Sequence, residues 1–190
     1  MLSWKSSPDV ADVDLHVQAR SITATRSTTH PTGYDFVMVV GLLQPLSHGS
    51  VRLRSTDVSD QPVIELGLYR SAEDLRRVAE GVRKIRRLVR TPALRDLLAA
   101  ELRPGPEVSD ADLEEAVGAD PAVYNHPVGT CRMGMAGDPH AVVDSRCRVN
   151  GTEGLLVIDA SVMPVSPRAT THLPTVMLAE RVVALNWPDH

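Results

Sequence analysis

Asn125-His-Pro-Val-Gly-Thr-Cys-Arg-Met-Gly134 is the stretch from which the rest of the chain is best read. A histidine followed at once by proline sits where the backbone is stiff, and the glycine behind it permits close approach of another group. A second histidine, His172, stands far downstream, and between the two lies an apolar, strand-like run that ends in Asp159. Two imidazoles that folding brings together can share the acceptance of a proton and the hydrogen bonding of an oxygen, because histidine titrates near neutrality without special help.

Upstream, the periodicity is first that of strands and then that of a helix. Residues 1–12 are polar and read as a loose entry segment. Leu15, Val17 and Ala19 alternate with His16 and Gln18, the signature of a strand with one buried face. Apolar residues dominate 35–43, and Val51 and Leu53 alternate with Arg52 and Arg54; Pro45 and Gly49 between them suggest an antiparallel connection. A short run over 62–66 adds another strand. From Ser71 the period changes: Leu75, Val78, Ala79, Val82, Ile85 and Val89 recur at helical intervals, Ser71 and Asp74 have the spacing of a capping box, and the arginines fall on the wet side. Thr91-Pro92 starts a second short helix, and Ser109 with Asp112 a third. Strands followed by helices, without strict alternation, predict an α+β architecture: an antiparallel sheet packed by helices.

The end of the chain has a different character. Leu155-Leu-Val-Ile158 is continuously apolar, as in a strand covered on both faces of a parallel sheet, and Asp159 lies at its carboxyl end, where open α/β sheets bind ligands. A helix beginning near Pro174 would direct its N-terminus at an anion.

The blocks His126-Pro-Val-Gly-Thr-Cys-Arg-Met-Gly134, Val142-Val-Asp-Ser-Arg-Cys-Arg-Val149, Gly154-Leu-Leu-Val-Ile-Asp-Ala-Ser-Val-Met-Pro164 and His172-Leu-Pro-Thr-Val-Met-Leu-Ala-Glu180, in that order, resemble the C-terminal region of the glucose-methanol-choline (GMC) oxidoreductases. Pro45-Leu-Ser-His-Gly-Ser-Val-Arg-Leu-Arg-Ser55 resembles a strand and turn of the same family's substrate domain. The resemblance implies an FAD-dependent enzyme that removes a hydride from an alcohol carbon while a histidine takes or hydrogen-bonds the hydroxyl proton. His126 matches that histidine. His172 matches its partner position, occupied in the family by histidine or asparagine; Arg168-Ala-Thr-Thr-His172 stands where many bacterial members carry Gly-Asn-Thr-Asn. Asp159 and Ala160 match positions beside the flavin's ribityl-diphosphate chain, and Leu173, Pro174 and Thr175 the segment against the flavin ring. The resemblance divides the chain into the entry segment 1–12, a substrate-binding domain over 13–150, and a strand and helix over 151–190 that return to an FAD-binding domain. That domain's Gly-x-Gly-x-x-Gly loop, which holds the ADP half of FAD, occurs nowhere in these residues. The chain is thus expected to act as the C-terminal part of an alcohol oxidoreductase, or else as a non-catalytic fragment or accessory chain beside a separate FAD-binding polypeptide.

Each site residue also has a structural alternative. His126 can be a satisfied histidine in a turn, His172 a helix-entry residue, Asp159 a turn cap and Asn125 a turn former. His16, His30, His48, His140 and His190 read as surface residues. A zinc site from His126, Cys131, His140 and Cys147 lacks a Cys-x-x-Cys pair, and a serine hydrolase lacks its Gly-x-Ser-x-Gly elbow. A net charge of -4 and only 3% aromatic residues argue against nucleic acid, although half of the twenty basic residues fall between Arg70 and Arg103. No apolar run spans a bilayer and none resembles a secretory leader, so two free thiols and a cytoplasmic location are expected. The expected partner is a small-molecule alcohol.

Overall fold

A computed structural model describes residues 1–22 and 35–187. His30 and His190 lie outside the described residues. The chain divides into two compact units, residues 1–48 with 67–124, and residues 49–66 with 125–190, whereas the sequence reading placed its boundary after residue 150.

The first unit is built on three antiparallel strands, β1 (Leu2–Trp4), β2 (Leu15–Ile22) and β3 (Asp35–Leu42), with β2 in the middle. The register pairs Leu15 with Leu42, His16 with Gly41 and Val17 with Val40. Leu15 and Val17 are buried toward helix α1 (Ala72–Val89), as their alternation requires. Helix and sheet meet at Gly81, where a Cβ would lie 2.6 Å from Val40 Cγ1. Helices α2 (Pro92–Arg95) and α3 (Leu113–Ala119) follow, and Leu113 is fully buried.

Several expectations for this unit are corrected. The opening segment is not loose: β1 pairs with β2, and Ser6 is buried, donating from its N–H and hydroxyl to Asp14 at 2.7 and 2.6 Å. The arginines of α1 are not all on its wet side. Arg77 is buried and donates to Asp14 Oδ2 at 2.9 Å and to Leu43 O at 2.9 Å. Arg86 is buried too, held by Glu101, Asp110 and Gly105 O, so the basic helix and the acidic stretch behind it neutralise each other. The Ser71–Asp74 capping box does not form, because the buried Asp74 carboxylate instead accepts the N–H groups of Leu46 and Ser47 at 3.0 and 2.7 Å. No ladder joins β3 to the next strand: the carbonyls of Leu43 and Gln44 go to Arg77, and the chain leaves the sheet there.

His16 is buried as well, against the reading of a surface residue. It lies on the sheet face opposite Leu15, and the Tyr124 ring covers that face: a Cβ on Gly41, the partner of His16, would meet the ring at 2.6 Å, and Tyr124 Oη accepts from Gln18. Burial pushes the His16 imidazole below its ordinary value of 6.5. The unfolded chain therefore binds a proton at a pH where the fold does not, and stability is lost as pH falls through about 6.5 toward the lower folded value. The urea midpoint is expected to fall between pH 7.5 and 5.5, by less in His16→Asn; equal falls in both proteins would contradict the assignment.

The second unit contains the hairpin of β4 (Ser50–Arg52) and β5 (Val63–Glu65) and everything after Tyr124. Its core is Val143, Cys147, Val162 and Val182, with Cys131, Met133, Leu156, Val157 and Ile158 packed against them. Cys131 and Cys147 are free thiols. The apolar run 155–158 is not a strand. It makes one antiparallel bridge, Arg148 with Leu156, and Leu155 stays 52% exposed, because the only backbone available to it among the described residues is the 147–149 loop. A 3₁₀ turn (Ala160–Val162) comes next, and then helix α4 (His172–Asn186). No described helix is long and apolar enough to cross a membrane.

Candidate active site

All the candidate site residues lie in the second unit, and the backbone explains how two distant segments meet there. Asn125 sits at φ 64°, a left-handed position that asparagine tolerates better than most residues. This turn delivers His126 to Pro127, whose ring stiffens the backbone on either side of it. Gly129, at φ 87°, makes the next bend, and a Cβ there would come within 3.4 Å of the Met163 carbonyl. The segment is then fastened along the 3₁₀ turn: Cys131 N–H donates to Ser161 O at 2.9 Å and Met133 N–H to Val162 O at 2.8 Å. On its other side Val142 N–H donates to Arg132 O at 2.9 Å. The Cys131 to Gly134 half of the stretch is thus held on two sides, and the turn bearing His126 leads into it.

The half-buried His126 ring makes a hydrogen bond of 3.0 Å between Nδ1 and the Thr171 hydroxyl. Thr171 is the N-cap of α4, and His172 is the first residue of that helix and exposed. The two candidate histidines are thus linked through one side chain and one peptide unit, although they are far apart in sequence. Thr171 is the residue that sequence reading missed; its only signal was a hydroxyl directly ahead of His172 in the helix start Thr-Thr-His-Leu-Pro.

The remaining candidates lie on the 3₁₀ turn and at the start of α4. Asp159 caps the 3₁₀ turn, its Oδ1 accepting from Ser161 N–H at 2.8 Å, so its carboxylate already has a local structural task. Ala160 is the first residue of that turn. Leu173, Pro174 and Thr175 belong to the first turn of α4, which begins two residues before the expected Pro174. Leu173 is 73% and Met177 65% exposed. His48 and His140 are not buried, as expected of surface residues. Among the described residues no three His, Cys, Asp or Glu side chains gather as a metal would require, and His126, Cys131, His140 and Cys147 do not converge.

This arrangement fits one end of a flavin. The first turn of α4 has no side-chain cap and no acidic residue, so its positive end remains available to an electron-rich ring edge, beside the exposed apolar surface of Leu173, Val176 and Met177. The ADP half finds no glycine loop in this sequence.

The GMC oxidoreductase family model matches residues 45–179. An oxygen-dependent choline dehydrogenase of Chromohalobacter salexigens is 38% identical over 150 residues, covering 78% of this chain and 27% of that protein. An uncharacterised GMC-type oxidoreductase of Mycobacterium bovis is 40% identical over 159 residues, covering 82% of this chain and 30% of its own length. The chain therefore spans between a quarter and a third of these curated relatives. Among solved structures, pyridoxine 4-oxidase from Mesorbium loti shares the fold, with a TM-score of 0.83 over 99% of this chain and 37% of that one at 24% identity. The formate oxidase of Aspergillus oryzae RIB40, an enzyme whose FAD is modified, matches with a TM-score of 0.78 at 26% identity, covering 95% of this chain and 33% of its own.

Proposed function

This chain belongs to the GMC oxidoreductase family, and from that premise we propose that it forms the substrate side of an FAD-dependent enzyme oxidising an alcohol to a carbonyl compound. FAD, when bound, supplies the acceptor for the hydride that leaves the alcohol carbon. This chain's residues do the rest. His126 Nε2 takes the hydroxyl proton, and the His172 imidazole hydrogen-bonds the same oxygen and stabilises the negative charge that develops on it. The first turn of α4, Leu173 to Thr175, would hold the ring end of the cofactor, with Asp159 and Ala160 toward its ribityl-diphosphate chain. Residues 151–190 would pack with the FAD-binding part of the complete enzyme, and 13–150 would enclose the alcohol.

The observation that carries this reading is the hydrogen bond between His126 Nδ1 and the Thr171 hydroxyl, which joins the turn bearing one histidine to the helix start bearing the other. A histidine whose Nδ1 is tied to the helix start, with a second imidazole one residue beyond that partner, supports proton acceptance over a packing role. A second reading takes the exposed apolar surface of Leu173, Val176 and Met177 as a docking face only: an accessory chain that does no chemistry and assembles with a separate FAD-binding polypeptide.

Gel filtration and anaerobic spectroscopy separate the two. The 190-residue chain mixed with FAD is expected to elute without it. A complete polypeptide carrying the dinucleotide loop upstream is expected to retain FAD and to bleach on addition of an alcohol such as choline or a primary aryl alcohol. A separate FAD-binding polypeptide that binds this chain yet is bleached by alcohol equally well without it would favour the accessory role.

A further inference from the structure

We propose that Thr171 is a positioning residue for His126, holding the imidazole with Nδ1–H donated to its hydroxyl so that the lone pair lies on Nε2. The proposal rests on the reading of His126 as proton acceptor. It starts from an anomaly in the helix. A threonine at the N-cap ordinarily turns its hydroxyl inward to accept from the N–H of the second or third helical residue. In α4 the third residue is Pro174, which has no N–H, and Thr171 makes no side-chain cap. Its hydroxyl points instead to His126 Nδ1, at 3.0 Å.

In neutral imidazole one nitrogen carries the proton and the other the lone pair, and the hydrogen bond made by one sets the state of the other. With Nδ1 donating its proton to Thr171, the lone pair that takes a hydroxyl proton is the one on Nε2. That nitrogen is a base only while Nδ1 keeps its own proton, so the proton-acceptor reading of His126 requires Thr171 to accept in this bond. The same bond persists after transfer, when the imidazolium donates from Nδ1 with full charge. Thr171 thus serves the ring before and after the step without touching the alcohol.

The test is the tautomer, read directly in the 190-residue chain labelled with ¹⁵N-histidine in mildly alkaline buffer, with His126→Gln identifying the signal. Long-range proton–nitrogen correlations are expected to show His126 protonated on Nδ1, to shift toward Nε2–H in Thr171→Val, and to return in Thr171→Ser. In the complete FAD-loaded enzyme, Thr171→Val is expected to slow flavin reduction at saturating alcohol about tenfold, part of the hundredfold or more that a placed proton acceptor provides. KM should change little, and Thr171→Ser should restore the rate. An Nε2–H tautomer in the parent chain, or a tautomer unchanged in Thr171→Val, overturns the positioning role alone. Undiminished flavin reduction in His126→Ala overturns the catalytic reading, and this role with it.

Discussion

Replacing His126 with alanine in the complete, flavin-loaded enzyme is expected to slow anaerobic flavin reduction by alcohol by roughly a hundredfold or more, the usual worth of a positioned proton acceptor. The loss should fall on the reduction rate at saturating alcohol and leave half-saturation much less changed, since the imidazole's work lies mainly in the transition state. His126 is only half-buried, and its ring reaches the start of α4 through the Thr171 hydroxyl. The Cys131 and Met133 backbone bonds that fasten the segment do not involve its side chain. The alanine variant should therefore fold and retain flavin. Stopped-flow absorbance at the oxidised flavin band measures the rate directly, and an unchanged rate would remove His126 from the chemistry.

The second large effect is structural and lies in the first unit. Arg77→Leu is expected to destabilise the fold by about 3–5 kcal/mol, the usual consequence of removing one partner from a buried ion pair. Asp14 is fully buried and receives Arg77 Nε at 2.9 Å, while the same guanidinium holds the carbonyls of Leu43 and Gln44 where β3 ends. Burial pushes the Asp14 carboxyl up, but the hydrogen bonds from Ser6 and Arg77 outweigh it and hold the group below its ordinary 3.8. That stabilisation is present at neutral pH and disappears as pH falls through the ordinary value toward the lower folded one. Urea titration at pH 7 reads the loss. Arg77→Leu combined with Asp14→Asn should recover part of it, since an amide left without the guanidinium costs far less than a buried carboxylate. A midpoint unchanged in Arg77→Leu would mean that the Ser6–Asp14–Arg77 triad carries no stability.

How much of this was legible depends on whether the deciding contact is local. Helix α1 was legible because a five-turn apolar stripe has no other solution, and β2 because Leu15 and Val17 alternate. The burial of His16 was not, since alternation assigns it to the wet face, and Tyr124, which lies over that face, is more than a hundred residues away in sequence. Asp74 has the spacing of a capping box, yet its carboxylate is taken by two N–H groups from the Leu46–Ser47 turn. The run 155–158 reads as a buried strand, but a strand needs neighbours, and among the described residues this one pairs only with the 147–149 loop. In the candidate site, both histidine positions came from the sequence blocks. The hydroxyl between them did not, because threonine ahead of a helix usually explains itself as a cap; Pro174 takes away the third-position N–H, but that of Leu173 remains, and only the structure shows that Thr171 caps neither.

The most direct measurement is a crystal structure of the complete protein with FAD and a bound alcohol or unreactive analogue. The account predicts that the imidazoles of His126 and His172 both face the ligand oxygen, each within about 3 Å, with His126 presenting Nε2 and keeping Nδ1 on Thr171. Rings directed to different surfaces, or a ligand oxygen held by neither, would contradict it.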